Sequence, residues 1–245
     1  MSQVNRVVVV CGGSSGMGNA LVRLLSADSC KVYVLDIQET QDAAFIPCDL
    51  SRYEEVRGAI RRVVENEGAI HGLFVAAGIH LFATIEQTSL EEFERVLAVN
   101  LKGTFYALKE VLPIMRQQQS GSIVLMGSDQ THVGKGSSSV YGLTKAAIGQ
   151  LTKSTAIDYA PFNVRVNCIC PGTIDTPMLA PTIERFHRAS GISIVDIYEM
   201  LKKAQPIPRL GTAEEIAKVV RFLLSDECPF MTGALINVDG GYTCQ

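Results

Sequence analysis

The chain has 245 residues, enough for one large α/β domain or two small ones. Hydrophobic residues make up 47%, as in a globular protein with a sizeable core, which excludes a disordered polymer. A net charge of −3 without long runs of one sign argues against an electrostatic nucleic-acid binder.

Apolar runs alternate with helical patterns along the chain. Val7 to Cys11 predicts a strand, Gly16 to Ala27 a helix, and Lys31 to Asp36 a second strand. A short strand over Phe45 to Pro47 precedes a helix around Glu54 to Glu65. Leu73 to Ala76 is strand-like again, and helices cover roughly Leu90 to Gln118. Strands over Ser122 to Gly127 and Val164 to Cys170 bracket a helix around Tyr141 to Tyr159. Nearly continuous apolar strands suit a parallel sheet buried on both faces, so the expected class is α/β.

From Thr176 to Pro208 the rhythm breaks, with Pro177, Pro181, Pro206 and Pro208 among helical stretches. A long excursion between a strand and the next helix predicts a lid or binding region. Ala213 to Ser225 then reads as a helix with Thr212 as N-cap, and Leu235 to Val238 as the last strand. Without a repeat, low-complexity tract or linker, residues 1–245 read as a single domain.

The apolar stretch near the start is too short for a signal peptide, and no run approaches the ~20 apolar residues of a membrane span. A cytoplasmic protein is expected, with a small-molecule substrate and neither nucleic acid nor membrane as partner. Seven cysteines without framework spacing, including Cys168 and Cys170 in an apolar strand, read as reduced thiols, and no metal site is expected.

Two segments speak about chemistry. The first strand runs into Gly12-Gly-Ser-Ser-Gly16-Met-Gly18 and a helix. Glycines let the backbone turn sharply and approach a pyrophosphate, whose charge sits well at a helix N-terminus. The same residues match the Gly-x-Ser-x-Gly elbow of a serine hydrolase, with Ser14 as nucleophile. That reading leaves no earlier strand to supply half of the oxyanion hole. Asp36, about 20 residues on, stands where a carboxylate binds an adenosine ribose and repels a 2′-phosphate, which favours NAD over NADP. Alone, it would be a solvated strand-end aspartate.

The second segment holds Tyr141 and Lys145, with Ser128 thirteen residues earlier. Positions i and i+4 share a helix face, and a neighbouring cation is expected to pull the phenol pKa down from about 10. A serine hydroxyl nearby would hold the oxygen on which such an acid/base acts. Taken alone, Ser128 reads as a strand-end hydroxyl satisfied by backbone.

With these pieces in order, the whole chain resembles the short-chain dehydrogenase/reductase family in its compact form. The matching residues are Gly12 to Gly18, Asp36, Cys48-Asp49-Leu50, Ala77-Gly78, Val99-Asn100, Ser128, Tyr141-x-x-x-Lys145 and Pro171-Gly172-Thr-Ile-Asp-Thr176. The resemblance implies a doubly wound, mainly parallel Rossmann-type sheet with helices on both faces. It also implies an NAD(H)-dependent interconversion of a secondary alcohol and a ketone, in a homotetramer. Tyr141 would be the general acid/base, and Lys145 would bind the nicotinamide ribose and depress the tyrosine pKa. Ser128 would hydrogen-bond the substrate oxygen, and Asn100 would help a water relay reach Lys145. Gly12, Gly16, Gly18, Asp36 and Asp49 would hold the coenzyme, with Ile174 and Thr176 on its carboxamide. Ser14, Ser15, Met17, Leu50, Ala77, Gly78, Pro171 and Gly172 would line the rest of it. A non-catalytic NAD-binding regulator is the rival reading.

Cys11 and Val75-Ala-Ala-Gly78 depart from the usual threonine and Asn-Asn-Ala-Gly of the family, removing side-chain hydrogen bonds near the central sheet. Asn100 and Asp49 could instead cap the helices that follow them. In the polar loop after Ser128, Gln130 and His132 are candidates for recognising a hydroxylated or carboxylated substrate, against a plain solvated loop. Arg185, His187, Arg188, Lys202 and Lys203 read as solvated lid faces. His71 and His80 lack metal-ligand spacing and read as structural or exposed.

Overall fold

Five consecutive apolar residues, Val7–Cys11, form the fully buried strand β1 at the middle of the sheet. The computed structural model describes residues 5–245. Successive β1 side chains point to opposite faces: Val7, Val9 and Cys11 join one core, and Val8 and Val10 the other. This explains why the strand is apolar throughout rather than alternating.

After β1 come α1 (Gly16–Ala27), β2 (Lys31–Asp36), β3 (Ala44–Pro47), α2 (Tyr53–Glu67) and β4 (Gly72–Val75). A long helical stretch follows, made of α3 (Leu90–Val96), a π-helical segment (Leu97–Lys102) and α4 (Gly103–Gln118). Then come β5 (Gly121–Met126), α5 (Ser139–Tyr159), β6 (Val164–Pro171), β7 (Ile174–Asp175), α6 (Leu179–Ser190) and α7 (Ile194–Lys203). The chain finishes with β8 (Gly211–Thr212), α8 (Ala213–Leu224) and β9 (Leu235–Val238).

The main sheet has seven parallel strands in the order β3-β2-β1-β4-β5-β6-β9. The chain builds outward from β1 in one direction and from β4 in the other. Strand order therefore reverses between them, and a crevice opens beyond their carboxyl ends. Residues of α2, α4 and α5 cover one face, and those of α1 and α8 the other.

The expected elements are present, with ends shifted by one or two residues. The 176–208 segment resolves into α6 and α7, held at its two ends by the unforeseen two-residue pair β7–β8. Thr212 caps α8 reciprocally with Glu215. Cys168 and Cys170 are buried free thiols, their sulfurs 3.9 Å apart. Among the described residues, no helix is long and apolar enough to cross a membrane, and no group of three or more His, Cys, Asp or Glu is placed to hold a metal.

Candidate active site

The turn after β1 is shaped by close backbone approach. A Cβ on Gly12, whose φ is +81°, would fall 2.6 Å from the nitrogen of Ala77, and one on Gly18 would strike the carbonyl oxygen of Gly12. Both positions therefore require glycine. Cys11 O accepts from Ala76 N at 2.8 Å and Ala77 N at 3.0 Å. Main-chain bonds thus hold this turn where the family's side-chain amides are missing.

Helix α1 begins at this turn with no side-chain cap and no acidic residue in its first turn. By contrast, Ser89, Ser193 and Thr212 cap α3, α7 and α8. The free N–H groups of α1 face a cavity of about 550 Å³ lined by Gly12, Ser15, Gly16, Met17 and Gly18. Asp36, Asp49, Leu50, Ala77, Gly78 and Thr176 line the same cavity. Uncapped donors at a helix N-terminus, glycines that admit close approach and a carboxylate at the far end fit a dinucleotide. Asp36 accepts from Ser14 N at 3.0 Å and Gln38 N at 3.1 Å, so its carboxylate also pins the turn.

Ser14 itself is not in the cavity wall. Its hydroxyl donates to the carbonyl of Gln38, and among the described residues no histidine bonds to it, which removes the hydrolase reading. Asp49 does not cap α2. Its carboxylate accepts from the amide and hydroxyl of Ser51 at 2.9 and 2.7 Å, because α2 starts only at Tyr53.

A second cavity of about 280 Å³ shares Met17, Gly78 and Thr176 with the first. Tyr141 and Lys145 enter it from one face of α5, Ser128 from the end of β5, Pro171 and Gly172 from the end of β6, and Ile174 from β7. The Lys145 ammonium donates to Met126 O at 2.8 Å and lies 5.4 Å from the centre of the Tyr141 ring. Its pKa falls to about 8, chiefly because it is buried, while the nearby Cys168 and Cys170 act the other way.

Tyr141 behaves differently from expectation. Burial pushes its pKa above the ordinary phenol value, a hydrogen bond with Ser128 lowers it, and the charge of Asp129 raises it. The lysine effect expected from the spacing does not prevail, because desolvation of the phenolate is the largest influence on the phenol.

Ser128 combines its two readings. Its hydroxyl donates to Asp129 Oδ1 at 2.9 Å and accepts from Gln130 N at 3.2 Å, yet it also reaches Tyr141. Asp129 is paired in turn with Lys135 at 2.6 Å.

Asn100 is not an N-cap. It sits inside the π-helical segment, fully buried, where the widened turn aims its side chain at the loop after β4. Its Oδ1 accepts from Ile79 N at 2.8 Å, and its Nδ2 donates to Ile79 O at 3.0 Å and to Thr144 Oγ1 at 3.2 Å. A Cβ on Gly78 would lie 3.3 Å from Asn100 Oδ1 and 3.7 Å from Lys145 Nζ, so these two side chains flank that glycine.

Gln130 lines the smaller cavity. His132 does not: it is exposed, and it turns toward the Cys170 thiol, whose pKa it helps to lower after the larger effect of Cys168. His71 is structural, accepting from Val7 N at 3.0 Å. The lid cations Arg185 and Lys202 pair with Glu92 and Glu199. His80, Phe82, Lys135 and Phe186 are wall residues that the sequence did not single out for the site. A histidine two positions after Gly78 was the available signal, but its partner Tyr141 lies far along the chain.

Comparison with known proteins follows this geometry. The family model described as enoyl-(acyl carrier protein) reductase matches residues 12–243. The levodione reductase of Leifsonia aquatica is 32% identical, over 97% of this chain and 94% of its own. The ligand-free aldohexose dehydrogenase structure from Thermoplasma acidophilum superposes with a TM-score of 0.93 at 34% identity, covering 99% of this chain and 96% of that one. An actinorhodin polyketide ketoreductase structure with NADPH superposes with a TM-score of 0.93 at 25% identity, covering 99% of each chain.

Proposed function

Because the chain belongs to the short-chain dehydrogenase/reductase family, we propose that it is an NAD(H)-dependent oxidoreductase interconverting a secondary alcohol and a ketone, with Tyr141 as general acid/base. The observation that carries this reading is the meeting of Ser128, Tyr141 and Lys145 in a cavity that shares wall residues with the one at the glycine turn. When bound, the nicotinamide coenzyme supplies the hydride acceptor or donor.

The remaining chemistry falls to the chain. Tyr141 Oη takes the hydroxyl proton in oxidation and returns it in reduction. Ser128 holds the substrate oxygen against it, turning its own proton from Asp129 to that oxygen when a ketone is bound. Lys145 carries positive charge beside the phenol and binds the nicotinamide ribose hydroxyls. Asn100 fixes the loop over Lys145 and supports a water relay to it. Gly12 to Gly18 receive the pyrophosphate, and Pro171, Gly172, Ile174 and Thr176 border the nicotinamide.

NAD is preferred over NADP on the charge of Asp36. Its neighbours in the cavity wall, Ile37 and Gln38, carry no cation to receive a 2′-phosphate. The chain acts as one cytoplasmic domain with 176–208 as the substrate lid. Exposed Phe105, Leu143, Ile157 and Phe230 support a homotetramer, and sedimentation as a monomer would contradict it.

The reading is tested by coupled assays of secondary alcohols and ketones with NAD(H) and NADP(H). Turnover with NAD(H) is expected. Tight coenzyme binding without turnover of any substrate would instead identify a regulator.

A further inference from the structure

The smaller cavity is lopsided in its chemistry. Its polar end holds Ser128, Tyr141 and Lys145, while its lid end is formed by Met178, Leu179, Ile183, Phe186, Ile197 and Leu201. Opposite them stands Phe82, whose ring meets that of Phe186 edge-on with centroids 5.2 Å apart. Of the lid's two threonines in the wall, Thr176 lies on the side shared with the coenzyme cavity, and Thr182 already donates to Met178 O at 3.1 Å.

The charges are equally committed. Asp129 and Lys135 neutralise each other at 2.6 Å, and the lid's Arg185 pairs with Glu92 at 3.2 Å, so a substrate carboxylate at the lid end finds no spare cation; the charge of Lys145 lies at the polar end, where the coenzyme ribose would take it. His80 is kept neutral, its Nδ1 buried without a partner.

Size narrows the choice. A dry cavity of about 150 Å³ holds a benzene ring. The 280 Å³ here is shared at one side with the coenzyme cavity, which leaves room for one ring and small alkyl groups.

We propose that the substrate is a compact, uncharged, cyclic secondary alcohol or ketone, its oxygen between Ser128 and Tyr141 and its apolar skeleton between Phe82 and the lid. This rests on the oxidoreductase reading above. A sugar would bring several hydroxyls against the apolar side formed by Phe82, Met178, Leu179, Ile183, Phe186, Ile197 and Leu201, where each would lose its water without compensation. A ring of five or six carbons loses no such bonds and fills the space with few rotors to freeze.

The test is a turnover panel on the wild-type enzyme with both coenzymes. It compares cyclohexanol, cyclopentanol and 3,3,5-trimethylcyclohexanone with glucose, a hydroxycyclohexane carboxylate and a 3-oxoacyl thioester. We expect the neutral cyclic compounds to exceed the others in kcat/KM by about a hundredfold. Phe186→Ala should lower that value roughly ten- to hundredfold for the cyclic ketone, from lost apolar contact. Circular dichroism and a coenzyme titration check that the variant is folded. Higher kcat/KM on the sugar, the carboxylate or the thioester would overturn the substrate class while leaving the oxidoreductase reading intact. No turnover of any compound, with coenzyme bound, would remove the function itself and this inference with it.

Discussion

The imidazole of His80 lies against the phenol of Tyr141, with ring centroids 4.5 Å apart and planes inclined at 53°. Burial, and then the positive charges of Lys135, Lys145 and Arg185, pull the His80 pKa down to about 4, against an opposing pull from Asp129. The unfolded chain binds that proton near the ordinary histidine value of about 6.5. A depressed pKa therefore gives stability that is complete above pH ~6.5 and is lost as pH falls toward 4, by about 3 kcal/mol at most. Between about pH 7.5 and pH 4.5, wild type should lose about 2 kcal/mol more unfolding free energy in urea than His80→Gln. Parallel losses in the two proteins would contradict this.

Lys135 and Asp129 control the charge that Tyr141 meets. The carboxylate raises the tyrosine pKa, and the Lys135 ammonium lies 2.6 Å from that carboxylate, where it should oppose the effect. In the proposed mechanism alcohol oxidation needs the phenolate, so its rate should rise with pH through the tyrosine titration. Lys135→Met should move that rise upward by about one pH unit, Asp129→Asn should move it down, and Lys135→Arg should restore it. The pH profile of kcat/KM for oxidation is the measurement. Identical profiles in all four proteins would show that the pair is structural.

The proposed preference for NAD rests on Asp36. Asp36→Ala removes the charge that opposes a 2′-phosphate and also frees Ser14 N and Gln38 N. Steady-state kinetics with both coenzymes should show kcat/KM for NAD(H) falling about ten- to hundredfold and the NADP(H) value rising. A wild-type enzyme that already prefers NADP(H) would overturn the assignment.

Gly18 tests the turn. An added Cβ would meet the Gly12 carbonyl, so Gly18→Ala must displace either the turn or the start of α1. Coenzyme affinity should drop at least about tenfold, and the melting temperature should fall by several degrees, about 2–4 °C per kcal/mol for a chain of this size. Wild-type values for both would mean that the backbone does not approach so closely.

Much of this architecture was legible in the sequence. The Val7–Cys11 run needs two apolar faces, and only a sheet covered on both sides provides them. Tyr141 and Lys145 were paired by helical spacing alone, a local rule. What escaped depends on contacts between distant segments. Asn100 has no local mark of a π-helical turn, because its partners Ile79 and Thr144 lie on other parts of the chain. His80 looked unremarkable until α5 brought Tyr141 against it. The direction of the Tyr141 shift is opposite to the one the spacing predicts for a similar reason: spacing reveals a neighbouring cation, whereas burial shows only after folding.

The most direct measurement is a Tyr141→Phe substitution assayed for NADH affinity and for turnover of the best substrate. The account predicts an unchanged coenzyme dissociation constant and a kcat reduced roughly a thousandfold. A variant that turns over within about tenfold of wild type would show that another group moves the proton, and the account would fail.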